Sequence, residues 1–146
     1  MASVSPFLPL IGGGHTKFQP VYVGDVAIAI ANAVDGKVKG GKIYELGGPQ
    51  IASFRECLDL MQEVIDRKRS YISLPWFVAK AMAALTGWLP GAPITSDQVT
   101  LLRSDTIVSE TAIKEKRTFE GLGIKPRQMD AILPSYLVRF RPHGQF

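Results

Sequence analysis

Apolar positions along the chain fall into alternating short runs and helical stripes. Phe18 to Val23 alternates and predicts a strand, with Pro20 confining it to an edge because proline donates no ladder bond. Gly24 turns the chain, and Asp25 is placed to cap a helix whose wide apolar face is Val26, Ile28, Ala29, Ile30, Ala33 and Val34. Ile43 to Leu46 predicts a second strand, closed by Gly47-Gly48-Pro49. Ser53 with Glu56 three places on spells a capping box, followed by the stripe Phe54, Cys57, Leu58, Met61, Val64 and Ile65. Tyr71 to Leu74 predicts a third short strand. Pro75 then opens a helix over 76–89 that is apolar nearly all round, which predicts burial. Thr95 or Ser96 caps a short helix carrying Val99, Leu101 and Leu102, and Thr106 to Val108 predicts a brief strand. Met129, Ile132, Leu133, Tyr136 and Leu137 line a last helix that Pro134 should kink or break. Residues 1–17 read as loop, punctuated by Pro6, Pro9 and Gly12-Gly13-Gly14.

These elements amount to an α/β chain, rich in helix, with two or three short strands. At 146 residues it is expected to form a single domain. A hydrophobic share of 46% with 21% charged residues is an ordinary globular balance. No run of apolar residues is long enough to predict a membrane span. The net charge of +4 is mild, and no basic stripe is interleaved with aromatics, so nucleic acid is not an expected partner. One cysteine, Cys57, allows no internal disulfide and fits a reducing, cytoplasmic setting.

Chemistry-bearing patterns are sparse. His15 and His143 lie far apart in loops and do not spell a metal or catalytic pair. Cys57 sits on an apolar stripe with no adjacent base, which predicts a packed thiol rather than a nucleophile. Gly12-Gly13-Gly14 precedes a strand rather than a helix and so lacks the dipole of a phosphate cradle. The residues alone therefore indicate no catalytic, cofactor-binding or metal set.

Several segments, in order, resemble one family. FQPVYVGDVA at 18–27 is similar to the strand-to-helix junction after the sixth core strand of extended short-chain dehydrogenase/reductases. IYELGGP at 43–49 resembles the next strand, and SFRECLDLM the helix after it. TSDQVTLLRSDTIVS at 95–109 and LGIKP at 122–126 resemble the tail of the atypical branch. That branch holds the Rossmann-like accessory subunit of respiratory complex I and its bacterial relatives, of the NAD-dependent epimerase/dehydratase or NADH-ubiquinone oxidoreductase-like kind.

The resemblance implies a substrate-side, C-terminal fragment of the extended fold without a complete Rossmann sheet. The family's glycine-rich turn and its Tyr-x-x-x-Lys pair belong to an N-terminal half. Here no tyrosine has a lysine four places on. It further implies NAD(P) as the cofactor of the parent protein, none for this chain alone, and no catalysis by the chain itself. The implied partners are the N-terminal Rossmann half or a second copy, and respiratory complex I, with a peripheral place on the inner membrane. Three residues carry over as wall of a substrate cleft: Gln19, Tyr22 and Arg103. Strand packing is the plain alternative for Gln19 and Tyr22, and an ion pair with Asp105 or Asp97 for Arg103. From a different class, the 76–89 helix is a candidate for protein interaction or oligomerisation.

Overall fold

The computed structural model describes residues 7–86 and 96–142. The elements are β1 (Phe7–Ile11), a 3-10 turn (Gly12–Gly14), β2 (Lys17–Phe18), α1 (Val23–Val34), β3 (Ala52–Ser53), α2 (Phe54–Val64), β4 (Ser70–Leu74), α3 (Trp76–Thr86), α4 (Ser96–Leu101), α5 (Glu110–Lys114), α6 (Met129–Leu137) and a closing 3-10 turn (Val138–Phe140). Two compact units divide them. The first comprises Met1–Phe18, Ala52–Thr106 and Leu137–Phe146, the second Gln19–Ile51 and Ile107–Tyr136.

In the first unit β1 and β4 pair in parallel, Phe7 opposite Ser70 through Ile11 opposite Leu74. This revises the loop expected over 1–17. Leu8 and Leu10 alternate into the interior at 3% exposure each, a period-two pattern that Pro9 and the glycine run obscure in the sequence. Leu8 packs on Ile65, with Met61, Tyr71 and Leu137 around them. Ile11 packs with Ala79, Ala83 and Val99, flanked by Leu74, Trp76 and Leu102. The three glycines turn the chain out of β1 at φ of 60, 80 and 73°, a left-handed run that side chains resist. β2 and β3 form a second, antiparallel pair, with the Phe18 ring tilted on Phe54 at 6.1 Å. Thr106 bridges to Phe18 and donates its N–H to Lys17 at 2.8 Å, the remnant of the strand expected at 106–108.

α2 starts as its sequence predicts. Ser53 Oγ accepts the Glu56 N–H at 3.2 Å, and Glu56 Oε2 accepts the Ser53 N–H at 2.7 Å. α3 departs from the burial expected for 76–89. Ala79 and Ala83, four residues apart, face the interior, while Phe77 and Leu85 are each 74% exposed. Small residues permit close backbone approach, so the alanine side packs and the bulky side is left outward. Residues 87–89 of that predicted helix, the 89–93 loop and Thr95 lie outside the described residues.

The strand expected at 18–23 shortens to Lys17–Phe18, at the edge of the first unit, because Pro20 offers no donor and Val23 already begins α1 in the second. Tyr22 takes the N-cap position with no side-chain cap, and its carbonyl accepts the Asp25 N–H at 3.0 Å. Ile43 to Leu46 forms no strand. Among the described residues its backbone pairing is a single bond, Glu45 N–H to Arg117 carbonyl at 2.9 Å, and Ile43 is 80% exposed. Alternating residues do not make a strand without a partner edge. Glu45 instead anchors α5: its carboxylate accepts the Ser109 N–H at 2.7 Å and hydroxyl at 2.9 Å, while Ser109 Oγ caps Ala112. α6 runs through Pro134, which lies inside the helix and leaves the Asp130 carbonyl without its i+4 donor, and tightens to 3-10 geometry after Leu137. Apart from these departures, the architecture is the helix-rich α/β arrangement with small two-stranded sheets and no complete Rossmann sheet that the motifs imply.

Candidate functional site

Gln19 is engaged at both ends of its amide. Nε2 donates to the Gly48 carbonyl at 2.8 Å, and Oε1 accepts the Val108 N–H at 2.9 Å. The clamp explains Gly47-Gly48. A Cβ on Gly48 would lie 1.8 Å from the Pro20 carbonyl oxygen, so the two backbones approach as only glycine allows. Gln19 also borders a cavity of about 530 Å³ with Gly47, Val108, Phe119, Ile124 and Pro126.

Tyr22 faces a different cavity of the same unit, about 320 Å³, bounded by the 20–23 segment and by Arg127 to Tyr136. Its ring meets Tyr136 at 6.4 Å between centroids. The Tyr136 hydroxyl is pushed above its ordinary pKa by the hydrogen bond with Tyr22 first, then by burial. Over the Tyr22 ring, at 5.0 Å, lies the Arg127 guanidinium. That cation is set by Asp25. Oδ2 accepts the Arg127 N–H at 2.7 Å and Oδ1 stands 3.6 Å from its Nε, with Asp25 only 2% exposed. The cap role expected for Asp25 is therefore corrected. Helix α1 begins three residues earlier than that cap implies, at Val23, so Asp25 falls inside the first turn and reaches across to the 127 backbone. Its charge still suits a helix N-terminus. Arg127 and Tyr136 were not marked by the sequence. Their local context is a turn and a helix stripe, and only the long-range pairing singles them out.

Arg103 belongs to the first unit, apart from Gln19 and Tyr22 in the second. Its guanidinium lies 5.7 Å over the Trp76 ring. Neither Asp97 nor Asp105 forms an ion pair with it among the described residues. Asp105 instead accepts the Lys17 N–H at 2.8 Å.

Other reactive groups are quiet. Cys57 is half-buried, and burial, then the Glu56 charge, pushes its thiol up, away from a thiolate. Tyr71 is raised to about 12 by burial and by its 2.5 Å bond to Asp59, with Gln62 donating to the same hydroxyl at 2.7 Å. His15 is exposed, and His143 lies outside the described residues. Among the described residues no three metal-ligating side chains converge, and no helix is long and apolar enough to cross a membrane.

The fold is shared with the crystal structure of gox2253, which aligns with 99% of this chain and 42% of its own at a TM-score of 0.57 and 22% identity. No family model matches the chain. Among curated proteins it is 41% identical, over 94% of its length, to NADH dehydrogenase (ubiquinone) 1 alpha subcomplex subunit 9, mitochondrial, of Arabidopsis thaliana. It is 25% identical, over its whole length, to the NADH-ubiquinone oxidoreductase 40 kDa subunit, mitochondrial, of Neurospora crassa. The chain is a homologue of these NADH dehydrogenase subunits, and the resemblance that its five motifs carry is borne out. It spans 36% and 38% of their lengths, little more than a third.

Proposed function

We propose that this chain is the substrate-side, C-terminal portion of an NAD(P)-binding, oxidoreductase-like protein of the complex I accessory type, without catalysis of its own. The observation that carries this reading is the 41% identity spread over 94% of the chain and confined to about a third of the relative. In the parent protein Gln19 and Tyr22 border the substrate side, each through its own cavity, and the dinucleotide is held by the N-terminal Rossmann half. Gln19 does so through its clamp: by fixing Gly48 and Val108 it shapes the edge of the 530 Å³ cavity rather than offering free donors. The same kinship supports association with respiratory complex I and a peripheral inner-membrane place, while the single cysteine is what fits a cytoplasmic one.

Calorimetric titration of the 146-residue chain with NADH and NADPH tests the reading. No heat of binding at micromolar ligand is expected; micromolar affinity for either would sink it.

A second reading has its own observation. Phe77 and Leu85 leave an apolar side of α3 outward, each 74% exposed, which suits a protein-interaction or self-association role. Sedimentation of the chain and of Phe77→Glu separates the two. A clean monomer at high concentration counts against this second role.

A further inference from the structure

We infer that the Tyr22 cavity is a binding site for a small amphipathic acid, an apolar body bearing one carboxylate. This goes beyond the reading above and stands without it, since it uses only the cavity's own walls.

The cavity, about 320 Å³, is at the small end of ligand sites, which run from roughly 300 to 1,000 Å³. That size suits a medium-length chain or single ring, not a dinucleotide. Its walls are chiefly aliphatic: Val21, Val23, Met129, Ile132 and Leu133 offer no hydrogen bond to a polar body. Tyr22, Tyr136 and Gln128 are the neutral polar residues of the lining, and Arg127 is its cation.

Arg127 is held rather than trailing. Asp25 takes its backbone N–H and faces its Nε, and the Tyr22 ring lies beneath the guanidinium. Neither terminal nitrogen is engaged by Asp25 in these contacts, and the side chain is about half exposed, at 52%. A forked pair of donors in the lining of a chiefly apolar cavity fits a planar carboxylate, which accepts two parallel N–H bonds. The ammonium of a cationic amphiphile would meet the same guanidinium with like charge. An uncharged alcohol would gain the apolar contact and lose the fork.

The test is a titration of the 15N-labelled 146-residue chain, followed by amide shifts, with decanoate and decylammonium below their micelle concentrations and decanol below its solubility limit. Decanoate is expected to shift residues 20–23 and 127–136 saturably, about tenfold more tightly than decanol, the usual scale of a charged hydrogen bond. Decylammonium is expected to be weakest. Arg127→Met should erase the preference of decanoate over decanol while leaving decanol binding in place. Leu133→Trp, which fills the cavity without touching the cation, should abolish saturable shifts for both. Equal affinity for decanoate and decanol in the parent chain, or decanoate shifts centred on α3, would overturn the proposal. So would an unchanged preference in a folded Arg127→Met chain. Because NADH is not the probe, failure here leaves the dinucleotide reading standing, and the reverse also holds.

Discussion

Asp25 and Arg127 are 102 positions apart, yet the carboxylate of the first accepts the backbone N–H of the second at 2.7 Å. The bond ties the first turn of α1 to the segment that leads into α6, and both bound the Tyr22 cavity. Asp25→Ala removes a buried acceptor and leaves that N–H unpaired, at a cost of about 1–3 kcal/mol. Asp25→Asn keeps an acceptor and should lose less. Urea unfolding of the two variants against the parent chain measures the difference; equal losses would mean the bond is not what Asp25 contributes.

Gly48 is expected to tolerate no side chain. A Cβ there meets the Pro20 carbonyl at 1.8 Å, and backbone cannot swing aside as a side-chain tip can. Gly48→Ala should lower thermal stability markedly. Gly40→Ala, where nothing stands within 4 Å of the new Cβ, should be close to neutral. Melting curves for the pair give the comparison.

The capping box of α2 should show itself in acid. Hydrogen bonds from the Ser53 backbone and side chain hold the Glu56 carboxyl below its ordinary 4.5. A lowered folded pKa contributes stability that is fully present above about pH 4.5 and is lost as pH falls below it. Glu45, held down by Ser109, adds in the same sense. Glu56→Gln should therefore flatten part of the acid limb of a stability–pH profile. Ser53→Ala should cost about 0.5–2 kcal/mol near neutrality.

Tyr71 acts at the other end of the scale. Its pKa rises from 10.0 to about 12, so its protonated form is favoured in the folded chain. That contribution is complete below pH 10 and disappears as pH rises toward 12. Tyr71→Phe should remove the alkaline dependence, read by ultraviolet titration of tyrosinate alongside unfolding. A tyrosinate titration complete near pH 10 in the folded parent would contradict the assignment.

Much of the helical part was legible because its signals are local. Ser53 and Glu56 cap α2 as expected, and β4 falls on Tyr71 to Leu74 with one residue added in front; α1 and α6 are helices where expected, but of the α1 apolar face Ala29 is buried while Ile28, Ile30 and Val34 are exposed. The misses lie where the decisive partner is distant. β1 is a strand because Ser70 to Leu74 lies beside it, and Ile43 to Leu46 is not one because a single bond to Arg117 is its ladder. The candidate residues divide the same way. Gln19 and Tyr22 were found through a motif, but their uses are set by Gly48, Val108, Tyr136 and Arg127. Arg103 was expected beside an aspartate and lies instead over Trp76.

The chain passes between its two compact units four times, after Phe18, Ile51, Thr106 and Tyr136. Neither unit is therefore one continuous stretch of the gene. On a ribosome the second unit stays incomplete until residues 107–136 have been made, long after 19–51 has emerged. Its N-terminal share must wait in the company of the other unit's β1 and α2. No single proteolytic cut or exon boundary can release either unit whole, so any search for a smaller autonomous piece must begin by re-splicing the order of segments rather than by trimming the ends.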